Sequence, residues 1–194
     1  MMFYKENIFR DTEIGRIPKE WEVVKLGDAL ELCQYGLSIS MSEKGKYPIV
    51  RMDEIVNGYI ISNVAKYVDL DEETFRNFKL EKGDILFNRT NAPDLVGRTG
   101  IFLLEGNYVF ASYLIRLRTR REFFTPHFLT FYLIFSENKF KQFATRAVHQ
   151  ANINATNLKN LKFHDLLSKN NKKLLKSFRQ LIKSSNLKEV RKQD

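Results

Sequence analysis

The stretch GDILFNRTNAPDLVGRTGIF, residues 83–102, decides how this chain is read. It begins as a buried strand, with Ile85, Leu86 and Phe87 in an unbroken apolar run behind a Gly-Asp turn. Four polar side chains, Asn88, Arg89, Thr90 and Asn91, then interrupt it. Pro93, Gly97 and Gly100 follow, and the apolar run resumes at Ile101. A core strand that ends in a cluster of donors either turns there or presents those donors to something outside the chain.

The flanking segments give a mixed pattern of strands and a few helices, hence an α/β or mixed α+β fold. Residues 21–26 (WEVVKL), 47–52 (YPIVRM) and 108–119 (YVFASYLIRLRT) read as strands, the last one long and ending basic. Residues 27–33 (GDALELC) read as a helical turn, and Asn57-Gly58 marks a hairpin. Residues 69–78 read as a short helix with acids in its first turn, where the helix dipole favours them. Residues 125–147 read as a core helix with Thr125 as N-cap and Pro126 in the first position.

Composition narrows the class. The chain has 194 residues and is 43% hydrophobic, enough for a real core, and Phe is abundant at 16. Cys33 is the one cysteine, which excludes a disulfide framework and a cysteine-based zinc site. The N-terminus carries acids early and lacks the apolar core of a secretory signal, and no apolar run approaches the ~18 residues of a membrane span. A cytoplasmic protein is expected. The net charge of +9 is concentrated: from Lys169 onward nine Lys/Arg face only Glu189 and Asp194, leaving +2 for residues 1–168. A nucleic-acid reading therefore has to rest on local clusters rather than total charge.

Catalytic motifs fail one by one. VGRTG lacks the P-loop glycine, with Ala92 in its place and Arg98 where lysine belongs. Asp94 and Glu105 could pair as nuclease carboxylates, but Asn107 stands where that chemistry needs lysine. NAPD, residues 91–94, has no aromatic to stack a flipped base. His127, His149 and His164 are scattered, and Ser112 lacks a nucleophile-elbow context. No catalytic residue, metal ligand or cofactor is expected.

Three stretches remain, at 33–52, 88–98 and 146–157. The first supplies Gln34, Tyr35, Ser38, Lys44, Lys46 and Arg51 as candidate DNA contacts. To these the second adds Asn88, Arg89, Thr90, Asn91 and Arg98. Arg146, Gln150, Asn152 and Asn154 come from the third. Arginine suits guanine, amides suit adenine, and hydroxyls and lysines suit phosphates. Ordinary turn chemistry accounts for any one cluster alone, and the three together bring DNA recognition level with it.

In order, residues 14–28 (IGRIPKEWEVVKLGD), 47–58, 83–102, 111–118 (ASYLIRLR) and 150–163 (QANINATNLKNLKF) resemble a target recognition domain of Type I restriction–modification specificity subunits, over about residues 13 to 165. The resemblance implies a target-recognition fold with a twisted mixed sheet over residues 1–165, followed by a basic helical or disordered tail at 166–194. It implies a non-catalytic subunit that reads one half of a split site in double-stranded DNA. Partner subunits would methylate adenine, and motor–nuclease subunits would cleave. An arginine shared across such a family cannot read a variable target, so Arg89 is expected on a phosphate or in a structural hydrogen bond. The segment 34–46 is the better candidate for specificity. A single-chain restriction endonuclease and a stand-alone DNA-binding regulator are the alternatives.

The chain departs from the family after residue 163. A typical specificity subunit has two recognition domains separated by long helices, and after the first the family continues with a proline-rich junction and a helix containing Gln-x-Lys-Ile-Ala. Here residues 164–194 contain no proline. Synonymous codons can be chosen for residues 171–187 (NKKLLKSFRQLIKSSNL) that, read one nucleotide earlier, encode QKIAEILSTIDKVIEF, close to the family helix. A frameshift near His164 is one expectation for the tail. The other is a natural basic helix with Leu174, Phe178, Leu181 and Ile182 on one face.

Overall fold

A computed structural model describes residues 9–13, 15–19, 22–89, 95–120, 123, 125–137 and 153–165. The chain divides into two compact units, one of residues 27–161 and one combining 1–26 with 162–194.

In the unit made of the chain's two outer segments, β1 (Phe9–Thr12) and β2 (Gly15–Pro18) form a hairpin. Its turn needs Gly15 at φ +117°, and the Thr12 hydroxyl donates to the Gly15 carbonyl at 2.6 Å. The strand expected over 21–26 appears as β3 (Glu22–Lys25), which pairs antiparallel with β13 (Lys162–Asp165). Lys25 sits opposite Lys162 in that ladder. Ile17, Leu26 and Phe163 are buried, and Lys162 reaches the Glu13 carboxylate at 2.6 Å.

The 27–161 unit is built on a six-stranded mixed sheet. Its strands are β4 (Leu30–Tyr35), β6 (Ile55–Val56), β7 (Tyr59–Ile60), β9 (Ile85–Asn88), β10 (Thr99–Ile101) and β12 (Leu114–Thr119). Their spatial order is β4-β12-β9-β10-β7-β6, antiparallel except for the β10–β7 pair. A second sheet orders β11 (Val109–Phe110), β5 (Tyr47–Val50) and β8 (Tyr67–Val68). Leu86 and Leu114 of the large sheet pack with Val50 and Phe110 of the small one in a shared apolar core. The Asn57-Gly58 turn takes φ +49° and +84°, the left-handed pair that a two-residue hairpin requires.

Among the described residues, three α-helices complete this unit. Helix α1 (Glu72–Phe78) starts on Asp71, whose carboxylate accepts the Thr74 N–H at 2.8 Å. Those Thr74 hydrogen bonds hold the Asp71 carboxyl below its ordinary range. Phe75 of this helix stacks on Tyr47 with centroids 4.0 Å apart. Helix α2 (Pro126–Phe135) has Thr125 and Pro126 where the sequence puts them, and packs on β10 and β12. The remainder of the helix expected to 147 lies outside the described residues from 138 onward. Helix α3 (Ala155–Lys159) packs on β4.

Two expectations are corrected. Residues 30–33 are not part of a helical turn: a 3-10 turn ends at Ala29, and Leu30–Tyr35 pairs with β12 as a strand. Long-range pairing overrides a weak local preference. The strand expected over 108–119 is two strands in different sheets. The Leu114 N–H bonds to the Ala111 carbonyl and turns the chain between them.

Candidate nucleic-acid interface

Three segments separated in sequence meet at the end of the large sheet where β4 and β9 finish. Tyr35 closes β4 and is 40% exposed. Gly36 follows, and a Cβ there would lie 2.3 Å from the Ala111 carbonyl oxygen, so only glycine lets the backbone pass this close. Leu37 then bridges to Ala111, and residues 38–40 and 42–46 are exposed. The loop is tied at its middle and at its far end. Ser42 pairs with Tyr67, and the Lys46 N–H donates to the Asp69 carboxylate at 2.9 Å.

Arg89 arrives from the end of β9. Its N–H bonds to the Tyr113 carbonyl at 3.0 Å, and its carbonyl accepts the Ile153 N–H at 2.9 Å. Its side-chain Nε donates to the Ser112 carbonyl at 3.1 Å. The guanidinium lies over the Tyr35 ring, 4.9 Å from the centroid. The Tyr35 hydroxyl in turn accepts the Ala155 N–H at 2.8 Å. Asn154 caps α3 by accepting the Asn157 N–H at 2.7 Å. Members of all three candidate stretches are thus within hydrogen-bond or ring contact of one another.

The remaining candidates divide. Ser38, Lys44 and Lys46 are exposed on the loop, and Lys46 also sits 4.9 Å from the Tyr47 ring centroid. Asn88 is fully buried: its amide donates to the Leu95 carbonyl at 2.7 Å, and its backbone pairs with Arg98 and Gly97. It ties the end of β9 to residues 95–98 and has no surface to offer DNA. Gln34 is half-buried, with its amide oxygen accepting from Arg116 and its amide nitrogen donating to the Asn77 carbonyl at 3.4 Å. Arg51 bonds the buried Glu54 carboxylate at 3.1 Å. All three direct hydrogen bonds into the protein, while among the described residues the buried Asn88 Oδ1 and Arg51 Nε have no hydrogen-bond partner. Arg98 is half-buried and lines a different cleft of about 510 Å³ with Asn57, Phe131 and Glu137. Thr90, Asn91, Arg146, Gln150 and Asn152 lie outside the described residues.

Toward the start of β9, away from Arg89, sits a charge network the sequence reading missed. Asp84, 1% exposed, accepts from Arg118 at 2.8 Å and 3.0 Å and lies 3.6 Å from Arg116. Arg116 is itself buried and also donates to the Lys79 carbonyl at 2.7 Å and the Asn77 carbonyl at 2.8 Å, at the end of α1. Burial pulls the Arg116 guanidinium down from its ordinary value, while the bond to Asp84 holds Arg118 above it. Ser112, Tyr113 and Ala155 were missed for a different reason: they contribute backbone atoms, which carry no side-chain signal.

The family model for the Type I restriction modification DNA specificity domain matches residues 18–194. The chain belongs to this family. As a specificity-domain protein it is 38% identical over 169 residues to the type I restriction enzyme MjaX specificity subunit of Methanocaldococcus jannaschii, covering 84% of this chain and 39% of that relative. It is 31% identical over 91 residues to the EcoKI specificity subunit of Escherichia coli, covering 45% of this chain and 20% of the relative. The chain thus spans about two fifths of the length of the first of these relatives. Among solved structures, a chain from a type I R-M system studied for its assembly superposes with TM-score 0.68 at 16% identity, covering 95% of this chain and 44% of that one. The HsdS subunit of Thermoanaerobacter tengcongensis gives 0.62 at 17% identity, covering 95% and 43%. At such identities the superpositions establish a shared fold. Among the described residues, no helix is long and apolar enough to cross a membrane, and no group of His, Cys, Asp and Glu is placed to hold a metal.

Proposed function

We propose that this chain recognises double-stranded DNA, reading one half of a bipartite target for a Type I restriction–modification system. It performs no catalysis itself. It directs adenine-methylating subunits and motor–nuclease subunits to the site, and works in the cytoplasm where they act. The observation that carries this reading is the meeting of Tyr35, Arg89 and the Ile153–Ala155 segment beside the exposed loop at 38–46. Membership of the specificity-domain family supports it.

Arg89 is fixed by main-chain bonds on both sides, which suits a contact made in the same place on every target: a phosphate. The loop bearing Ser38, Lys44 and Lys46 is exposed and carried on anchors at Leu37, Ser42 and Lys46, which suits the part that reads sequence. Fluorescence anisotropy on duplex DNA tests this division. Arg89→Ala is expected to weaken binding to all sequences and to reduce the salt slope by about 0.9, the loss of one phosphate contact. Lys44→Gln is expected to change the ranking of sequences. Unchanged affinity in a folded Arg89→Ala chain, or metal-dependent cleavage by the purified chain alone, overturns the proposal.

A further inference from the structure

We propose that Tyr35 is the positioning residue of the duplex-binding surface, holding the Arg89 guanidinium with its ring and the start of α3 with its hydroxyl. This rests on the DNA reading above. Tyr35 stands at the end of an edge strand with 40% of its surface exposed, so it adds little to the apolar core. Yet both its chemical functions are engaged by segments far away in the chain. The Arg89 guanidinium lies over the ring at 4.9 Å, and the Ala155 N–H, 120 residues on, donates to the hydroxyl at 2.8 Å. The Gly36 backbone, pressed against Ala111, fixes where Tyr35 leaves the sheet.

The main-chain bonds of Arg89 place its Cα but leave a long, rotamer-rich side chain to be ordered. Its Nε bond to the Ser112 carbonyl and the Tyr35 ring supply that order. The Arg89 carbonyl holds the 153–155 segment through the Ile153 N–H, and Tyr35 adds a side-chain link from the Arg89 guanidinium to the backbone at Ala155. A charged group held ready for a phosphate binds more tightly than one that must be ordered on contact. Losing the stack is expected to lower duplex affinity by about fivefold, the value of one exposed cation–π contact.

The test uses the full chain, a short random-sequence duplex and a salt titration. Tyr35→Leu is expected to flatten the salt dependence as Arg89→Ala does, and the double variant is expected to be no worse than Arg89→Ala. Tyr35→Phe keeps the ring and is expected to keep the salt slope while losing some affinity. A DNA-free readout accompanies this. The Arg89 Hε resonance is expected to be shifted by the ring current in the unsubstituted chain and in Tyr35→Phe, and to lose that shift in Tyr35→Leu. An unchanged salt slope in Tyr35→Leu beside a reduced slope in Arg89→Ala overturns the proposal alone, as do additive losses in the double variant. If the unsubstituted chain binds no duplex at low salt while the ring-current shift is present, the DNA reading fails and this proposal falls with it.

Discussion

Replacing Asp84 by alanine is expected to be among the most damaging single changes in this chain. Asp84 is 1% exposed, accepts from Arg118 and from the Glu81 N–H at 2.9 Å, and forms an ion pair with Arg116 at 3.6 Å. Its removal leaves Arg116, whose side chain is 5% exposed, as a buried cation without its counter-charge. Breaking a buried pair from one side typically costs about 3–5 kcal/mol. Arg116 keeps the carbonyls of Lys79 and Asn77 and the Gln34 amide, which places the expectation near the lower end, about 3 kcal/mol. That is a large share of the roughly 5–15 kcal/mol by which a domain is stable. With a urea m-value of about 2 kcal/mol/M, the midpoint should fall by about 1.5 M. Arg118 has 27% of its side chain exposed, so Arg118→Ala is expected to cost far less. The double change Asp84→Leu with Arg116→Met removes both charges and should recover much of the loss, because the penalty comes from the unpaired ion. A midpoint shift under about 0.5 M for Asp84→Ala, or a double variant as unstable as the single one, would refute the assignment of the network as a buried ion pair.

Other outcomes follow from single features. Gly36→Ala forces a Cβ toward the Ala111 carbonyl and is expected to cost about 1–3 kcal/mol, read by urea unfolding, with duplex binding weakened alongside. Burial lowers the His127 pKa below its ordinary value, so the unfolded chain takes up the proton first. Stability is then complete above the unfolded pKa of about 6.5 and declines as pH falls toward the depressed folded value, and His127→Gln should flatten that part of a stability–pH curve. For the tail, the nucleotide sequence is expected to encode the QKIAEILSTIDKVIEF helix one nucleotide earlier than the frame of residues 171–187, and restoring that frame is expected to permit assembly with methylating subunits. Stop codons or unrelated residues in the shifted frame would end that reading.

Local signals in the sequence were read correctly where the chemistry is local. The Asn57-Gly58 turn, the acids in the first turn of α1 and the Thr125-Pro126 helix start each depend on a few adjacent residues. The strand assigned to Leu30–Tyr35 was missed because its partner, β12, is distant in the chain, and its own residues do not alternate cleanly. The same holds for the site. Tyr35, Arg89 and Asn154 were named from residue type, but only the fold brings Tyr35 and Arg89 together and sets Asn154 beside them. Asn88 shares every compositional property of a DNA-reading amide and is nonetheless buried, because the register of β9 against β12 turns it inward opposite Leu114.

The pairing of β3 with β13 also sets an order of events in synthesis. The two strands are separated by the whole of residues 27–161, so joining them before that unit has folded means closing a very long loop for a few hydrogen bonds. During translation β3 must wait for Lys162–Asp165 to leave the ribosome. Until then its backbone hydrogen-bonding groups have no partner strand in their two-stranded sheet. A nascent chain halted before residue 162 would therefore carry a folded 27–161 unit and an unpaired strand at its beginning, and that strand is where a chaperone or a second copy would find it.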